Sequence, residues 1–313
     1  MMNQIVAPRK SLLTRSKIKE TWPMHLMMLG PIFMIILFSY VPMVGIVIAF
    51  QDYIPTKGFF GSEWLGWENF DYLFTLPDIW QIIGNTLTIS VIKIITTIGA
   101  SIIFALLISE VKSKTLNKLS QSVILFPWFI SWAILGNIFK DAFSLNGAVN
   151  QVIMALGGEQ VFFFGDNQLF RSLLIGTNIW KDLGYNMVIL LTAISGIDPT
   201  LYEAATIDGA NRFQRIWYIT LPGMINMIAI QFVLRVGAVM EGGFDQVFNL
   251  YTAPVYETGD IIDTYIYRLS FVKSTGINLG FTTAVGLFKN VINFILLMLA
   301  NGVTKALGQE TVL

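Results

Sequence analysis

The sequence contains no cysteine and only one histidine among 313 residues. A disulfide framework, thiol chemistry and a cysteine-based metal site are therefore excluded. Charged residues are also scarce, because they form 13% of the chain against about 25% in typical soluble domains. Lys and Arg balance Asp and Glu at 20 each. The zero net charge gives no electrostatic case for nucleic-acid binding.

Two catalytic motifs are missing as well. His25 stands alone, so the paired histidines of an H-E-x-x-H metalloprotease cannot form. No G-x-x-x-x-G-K-[ST] phosphate loop occurs, so the chain cannot be its own P-loop ATPase. We therefore predict that the chain is not an enzyme, that it binds no cofactor or metal itself, and that the energy for any driven work comes from a partner.

Long apolar segments are what the sequence does have, since 54% of its residues are hydrophobic. A bilayer core needs about 20 mostly apolar residues for each spanning helix. The sequence predicts an all-α polytopic fold with a membrane domain at 24–303 between tails at 1–23 and 304–313. Its six predicted spans are 24–50, 82–109, 122–139, 172–197, 223–240 and 277–303.

The distribution of Lys and Arg predicts the orientation of the chain. Eleven of them fall in the N-terminal tail, the loops after the second and fourth spans, and the C-terminal tail, against five in the other three loops. Cytoplasmic loops of membrane proteins are enriched in these residues. Both termini are therefore predicted to be cytoplasmic.

The loop between the fourth and fifth spans, 198–222, carries a distinctive pattern. It reads Glu203-Ala204-Ala205, three residues, Gly209, nine residues, and Ile219-Thr220-Leu221-Pro222. Thr200 could cap a short helix, with Glu203 three residues on as in a capping box. Gly209 supplies a turn, a second amphipathic run follows, and Pro222 should separate that run from the fifth span. The pattern predicts a helix-turn-helix elbow on the cytoplasmic side.

This loop closely resembles the EAA loop of ABC importer permeases, whose pattern is EAA, three residues, Gly, nine residues, Ile-x-Leu-Pro. In that family the loop docks into a cleft of a cytoplasmic ATPase. The resemblance implies a coupling role for Glu203, Ala204, Ala205, Asp208, Gly209, Ile219, Leu221 and Pro222.

Three further segments, 126–132, 179–184 and 262–268, look like the oligosaccharide branch of the maltose-permease-like family, which imports plant or algal polysaccharide fragments. Trp128 departs from the histidine common there. The resemblance implies a type I ABC importer permease in a bacterial cytoplasmic membrane. It also implies four kinds of partner: a second permease, two ATPase subunits that bind ATP and Mg, an extracytoplasmic sugar-binding protein, and an oligosaccharide.

Polar and aromatic residues inside the spans are candidates for the substrate pathway. Charges within a span cost roughly 2.5 to 3.5 kcal/mol on insertion scales, so they usually face protein or water. Aromatic faces and amides suit sugar rings and hydroxyls. The candidates are Trp128, Trp132, Asn137, Trp180, Lys181, Asn186, Arg235, Lys289, Asn290 and Asn293. The alternative for each amide or Trp is helix packing, and for Lys93 or Lys289 an ion pair within the bundle. The cations Lys181, Arg235 and Lys289 favour an anionic or strongly hydroxylated oligosaccharide.

Two other function classes stay open at this point. An ion-coupled secondary transporter would use the in-span charges as coupling groups, although the EAA-like loop argues against it. A non-transporting membrane scaffold would need no polar pathway at all.

Overall fold

A computed structural model describes residues 15–272 and 278–308 of the chain. The described part is almost entirely helical, with one two-stranded hairpin, β1 (Gln51–Asp52) and β2 (Glu63–Trp64). The helices are α1 (Arg15–Ile35), α2 (Gly58–Gly61), α3 (Glu68–Thr75), α4 (Ile79–Ser109), α5 (Lys114–Leu125), α6 (Trp132–Ala142), α7 (Ala148–Ala155), α8 (Asn167–Ser195), α9 (Pro199–Ile207), α10 (Arg212–Arg215), α11 (Leu221–Val236), α12 (Phe244–Leu250), α13 (Tyr256–Gly259), α14 (Ile262–Tyr267) and α15 (Leu279–Ala306).

Four helical stretches are long and apolar enough to cross a membrane, namely Thr21–Phe50, Ile79–Ser109, Arg212–Val236 and Leu279–Ala306. Two bent helix pairs raise the number to six if each pair is one span. The predicted all-α membrane fold is confirmed. The predicted span 122–139 is not one straight helix, however, because α5 and α6 meet at an angle of 98°.

The bend between α5 and α6 has a local cause. A 3₁₀ turn, Phe126–Phe129, ends α5 around Pro127, and the next two residues adopt extended backbone. The Ser131 hydroxyl then accepts the N–H of Ile134 and starts α6 afresh. Proline cannot donate to a continuing helix and serine is a strong N-cap, so the two residues together turn the chain.

The first span lies on the outside of the bundle, with 6% of its most apolar window buried. Its helix passes through a π turn, Ile36–Tyr40, into 3₁₀ helix at Val41–Phe50, where Pro42 lies in the first turn. These changes of helix type make the first span irregular, as is common next to a proline.

The core is formed chiefly by α4 and α8, which pack along each other, with α11 against both and α15 against α11. Close approach depends on small residues. A Cβ at Gly184 of α8 would lie 2.3 Å from the carbonyl oxygen of Ile124, so only glycine lets α5 cross α8 there. This contact positions Trp128 and the start of α6 over the middle of α8.

Candidate coupling elbow and translocation cavity

The loop 198–222 folds as an elbow of two short helices. Its first helix, α9, begins at Asp198, whose Oδ1 accepts the backbone N–H of Thr200 at 2.9 Å. This hydrogen bond lowers the pKa of the Asp198 carboxyl below its ordinary value. The capping residue is therefore Asp198, and the prediction that Thr200 caps α9 with Glu203 is wrong. Proline at 199 explains the shift, since it suits the first helical position.

The turn of the elbow follows the sequence prediction. Gly209 has φ of +76°, which is the left-handed region that glycine adopts without steric cost. The N–H of Ala210 reaches back to the Ala205 carbonyl at 2.8 Å and closes the end of α9. The capping box lies in the second helix: Asn211 and Gln214 each accept the other's backbone N–H, at 2.9 and 2.8 Å.

The second helix of the elbow runs into the fifth span without a break. Residues Arg212–Val236 form one helical stretch, so Pro222 does not separate the elbow from the membrane as predicted. A π turn, Ile216–Thr220, comes directly before α11, which has Pro222 in its first turn. We attribute the continuity to that wider turn, which relieves the hydrogen-bond and steric conflict of a proline inside a helix. The elbow and the fifth span are thus one mechanical element.

Side-chain contacts brace the two arms of the elbow. Tyr202 Oη and Thr220 Oγ1 lie 3.0 Å apart, and the Arg215 guanidinium donates to Thr206 Oγ1 at 3.3 Å. A groove of about 340 Å³ lies between the arms. The predicted coupling residues Glu203, Ala204, Asp208, Gly209 and Pro222 are exposed, while Ala205, Ile219 and Leu221 are half-buried.

Large apolar side chains also project from the elbow. Ile207 is 87% exposed, Phe213 83% and Tyr218 74%. Exposed large apolar side chains grouped on one short segment are typical of a docking site for another protein. The elbow therefore offers a braced, partly apolar surface at the end of a spanning helix.

The polar cavity lies deeper in the bundle and measures about 320 Å³. It is assembled from α6, α8, the 241–246 segment, α14 and α15, which are far apart in sequence. Its lining consists of Trp132, Asn178, Asp182, Glu241, Gly243, Phe244, Asp245, Gln246, Asp263 and Lys289. Four of these are carboxylates, so the wall is acidic unless cations offset them.

Ion pairs offset part of that charge. Lys289 Nζ lies 2.7 Å from Asp263 Oδ1. Lys289 therefore forms an ion pair within the bundle, which was the alternative to a role in the substrate pathway. Arg235 Nη2 lies 3.9 Å from Asp182 Oδ2. Lys181 Nζ donates to the Trp128 carbonyl at 2.8 Å. Two of the three cations that favour an anionic substrate thus have carboxylate partners in this chain.

The aromatic candidates divide between the cavity and the helix interfaces. Trp132 lines the cavity, 5.7 Å below the Lys181 ammonium. Trp128 stacks on Tyr185 with ring centroids 4.3 Å apart. Trp180 instead faces a separate apolar groove, edge-on to Phe139.

The amide candidates lie outside the cavity lining. Asn137 and Asn186 donate to carbonyls of their own helices, those of Ala133 and Asp182. Asn290 is exposed, and Asn293 Oδ1 accepts the Met240 N–H at 2.9 Å. Their role in the pathway stays a prediction.

Several cavity residues were not among the sequence candidates. Glu241, Phe244, Asp245 and Gln246 follow the fifth span, and Asp263 lies on α14. The available signal was the adjacent pair Gly242-Gly243, whose φ values of +62° and +78° reverse the chain at that point. Two successive left-handed glycines indicate a sharp break rather than a smooth loop.

Residues 97–309, more than half of the chain, match the family described as binding-protein-dependent transport system inner membrane component. The chain belongs to this family. It is a permease, and its predicted membership of the ABC sugar importers is confirmed by curated relatives and solved structures. The break at Gly242–Gly243 and the elbow both lie inside the matched region.

The curated relatives of the permease cover nearly its whole length. It is 38% identical over 288 residues to the polygalacturonan/rhamnogalacturonan transport system permease protein YteP of Bacillus subtilis, covering 92% of this chain and 89% of the relative. It is 36% identical over 293 residues to protein LplB of the same organism, covering 93% and 91%.

Solved structures match the permease equally well. One is a chain of a bacterial ABC transporter involved in the import of the acidic polysaccharide alginate, with TM-score 0.84 and 35% identity over 93% of this chain and 98% of that chain. A second is a chain of the bacterial alginate ABC transporter in complex with alginate pentasaccharide-bound periplasmic protein, with TM-score 0.85 and 34% identity over 95% and 99%. The permease is thus a multi-pass membrane protein of an ABC importer for sugars or oligosaccharides.

Proposed function

We propose that this permease imports fragments of acidic polysaccharides and is driven by a separate ATPase that docks on the 198–222 elbow. The exposed elbow, continuous with the fifth span, is the observation that carries the coupling proposal. ATP and Mg bind to the partner ATPase, and this chain supplies the moving contact. A movement of the elbow is passed to α11 because no flexible joint separates them.

The proposed substrate class rests on relatives whose names refer to polygalacturonan, rhamnogalacturonan and alginate. Lys289, which lines the cavity, and Arg235, which pairs with the lining residue Asp182, support this substrate class. Both cations retain N–H donors beyond those facing Asp263 and Asp182. Such donors can bind a carboxylate or hydroxyl of a passing sugar while each aspartate balances the charge when the cavity is empty. When no substrate is bound, the ion pairs lower the desolvation free energy that unpaired cations would cost in this part of the bundle.

The remaining partners complete the proposed importer. A second, related permease and two ATPase subunits form the membrane assembly, and an extracytoplasmic sugar-binding protein delivers the substrate, as the binding-protein complex of the alginate transporter supports. Closure of the ATPase pair would shift the cavity between outward and inward access, as a two-state change. Both termini and the elbow would face the cytoplasm of a bacterial cell.

Uptake measurements test the substrate class. The permease, reconstituted in proteoliposomes with its genomic partner permease, ATPase and binding protein, should take up oligogalacturonate or alginate oligosaccharides at least tenfold faster than neutral maltooligosaccharides of equal length. Preference for the neutral series with intact ATP-dependent uptake would refute the acidic substrate and leave the coupling proposal standing.

Cysteine labelling tests the orientation, and the absence of native cysteine makes the reading clean. Thr206→Cys on the elbow and Glu159→Cys between α7 and α8 both introduce a thiol at an exposed position. A membrane-impermeant maleimide should label the first only in inverted vesicles and the second only in intact spheroplasts. The reverse pattern would contradict the proposed topology.

A further inference from the structure

Lys93 lies in the middle of α4, and its side chain is 6% exposed. A charged group at this depth is costly unless it is well partnered. Its Nζ donates to the Gly242 carbonyl at 3.0 Å, across 149 residues of sequence. The ammonium therefore binds the backbone at the break that follows the fifth span. Among the described residues, no carboxylate lies within hydrogen-bond distance of it.

The same break is fastened from two other helices. Asn293 of α15 accepts the Met240 N–H, just before the glycines. Gln246, just after them, donates through Nε2 to the Leu174 carbonyl at 2.7 Å and to Thr177 Oγ1 at 2.8 Å. Three polar side chains thus fix residues 240–246 to α4, α8 and α15. Of the three, Lys93 contacts the turn itself.

The contact is close enough to transmit a change of shape. A Cβ at Gly243 would lie 2.8 Å from Lys93 Nζ, so the ammonium is packed directly against the left-handed turn. Gly243 and Gln246 line the cavity on their other side. Lys93 does not line the cavity but lies behind this wall.

From this geometry we infer that Lys93 is a positioning residue for transport, which holds the Gly242–Gly243 break and thereby sets the shape of the cavity wall. The inference goes beyond the proposed function, because it depends neither on the substrate class nor on the identity of the ATPase. Removing the ammonium leaves the Gly242 carbonyl without this donor and frees the wall to move. Asp245, exposed on that wall, should change its accessibility.

Thiol labelling of the full chain, co-expressed with its genomic transport partners in membranes, tests this inference. Asp245→Cys reports the wall, and Thr206→Cys on the elbow reports a site remote from it. Lys93→Met should change the rate at which methanethiosulfonate ethylsulfonate labels Asp245→Cys at least threefold and leave Thr206→Cys within twofold. Lys93→Arg, which keeps an N–H donor, should return the Asp245→Cys rate toward that of the parent.

Ser90→Ala is the matched control. Ser90 lies one turn before Lys93 and is equally buried at 6%, but its hydroxyl has no hydrogen-bond partner within the described ranges 15–272 and 278–308. Its removal should leave both labelling rates within twofold. Unchanged labelling of Asp245→Cys in Lys93→Met would overturn the inference, as would equal changes at both reporter sites.

The abundance of each variant in the membrane tests whether Lys93 is needed for folding instead. Loss of an in-span charge favours insertion, so Lys93→Met and Lys93→Leu should accumulate like Ser90→Ala. Failure of both neutral variants to accumulate would make Lys93 a folding residue, and the positioning role would be wrong.

Discussion

The elbow and the cavity of this permease are built in opposite ways. The elbow is one continuous segment whose caps, turn and braces all come from residues 198–222. The cavity gathers ten residues from five separate parts of the chain, and two of its four carboxylates form ion pairs across helices. A local pattern can therefore specify the elbow, whereas the cavity exists only once the spans have packed.

This difference predicts different failures. Damage to the elbow should impair coupling in a correctly inserted protein, because no membrane packing depends on its exposed face. Damage to the cavity should alter transport and stability together, because its ion pairs join helices. Four sets of variants, ordered by expected effect, sharpen or break this distinction.

The largest effect is expected from Gly209→Pro or Glu203→Lys in the elbow. Proline fixes φ near −65°, whereas Gly209 has φ of +76° and donates its N–H to the Thr206 carbonyl at 3.2 Å. Lysine at 203 reverses the charge of an exposed residue in the middle of α9. ATP-driven uptake should be abolished at normal membrane abundance.

Uptake, abundance and binding-protein attachment should be measured side by side. Gly209→Asn is the matched control, because asparagine tolerates the left-handed region better than other side chains, and it should retain most of the uptake. Normal uptake by Gly209→Pro or Glu203→Lys would mean that the elbow does not transmit the ATPase movement.

The second effect concerns the Lys289–Asp263 pair. Lys289→Met leaves the Asp263 carboxylate without its 2.7 Å partner, at a cost on the order of 2 kcal/mol for this half-buried pair, below that of a fully buried one. We expect lower thermal stability in detergent and reduced uptake. Combining Lys289→Met with Asp263→Asn should recover most of the stability. A double variant as unstable as the single one would show that the pair does not hold α14 to α15.

A smaller effect is expected at Arg235 and Asp182. Their nearest charged atoms are 3.9 Å apart and their side chains are 25% and 18% exposed, so the pair is looser than Lys289–Asp263. Arg235→Leu should lower the melting temperature less than Lys289→Met does, while reducing uptake of uronate oligosaccharides. A larger thermal loss at Arg235 than at Lys289 would reverse this ranking.

The smallest effect should come from Tyr202→Phe, which removes the hydroxyl that meets Thr220 Oγ1 at 3.0 Å. One such hydrogen bond contributes about 1 kcal/mol, which corresponds to about a fivefold change in the opening equilibrium of the elbow. Limited proteolysis of the elbow should become faster, with uptake only slightly reduced. Tyr218→Phe, at a tyrosine that is 74% exposed, is the control and should show no change.

The sequence alone determined the membrane class, the approximate spans and the elbow, because each depends on contiguous residues: apolar length, a glycine at a turn, and a run of motif positions. It assigned the cap of α9 to Thr200, although Asp198 caps the helix. It also predicted a break at Pro222, where a π turn before the proline lets the helix continue. Neither the choice between two neighbouring cap residues nor the π turn can be read from the spacing of apolar residues.

Only the tertiary structure decided which in-span groups meet. Lys289 contacts Asp263 across 26 residues of sequence, and Lys93 contacts Gly242 across 149. No spacing rule in the sequence relates such partners. Buried polar groups must be satisfied wherever packing places them. The residues of the cavity are therefore brought together by the packing of α6, α8, the 241–246 segment, α14 and α15, and not by any pattern within one of them.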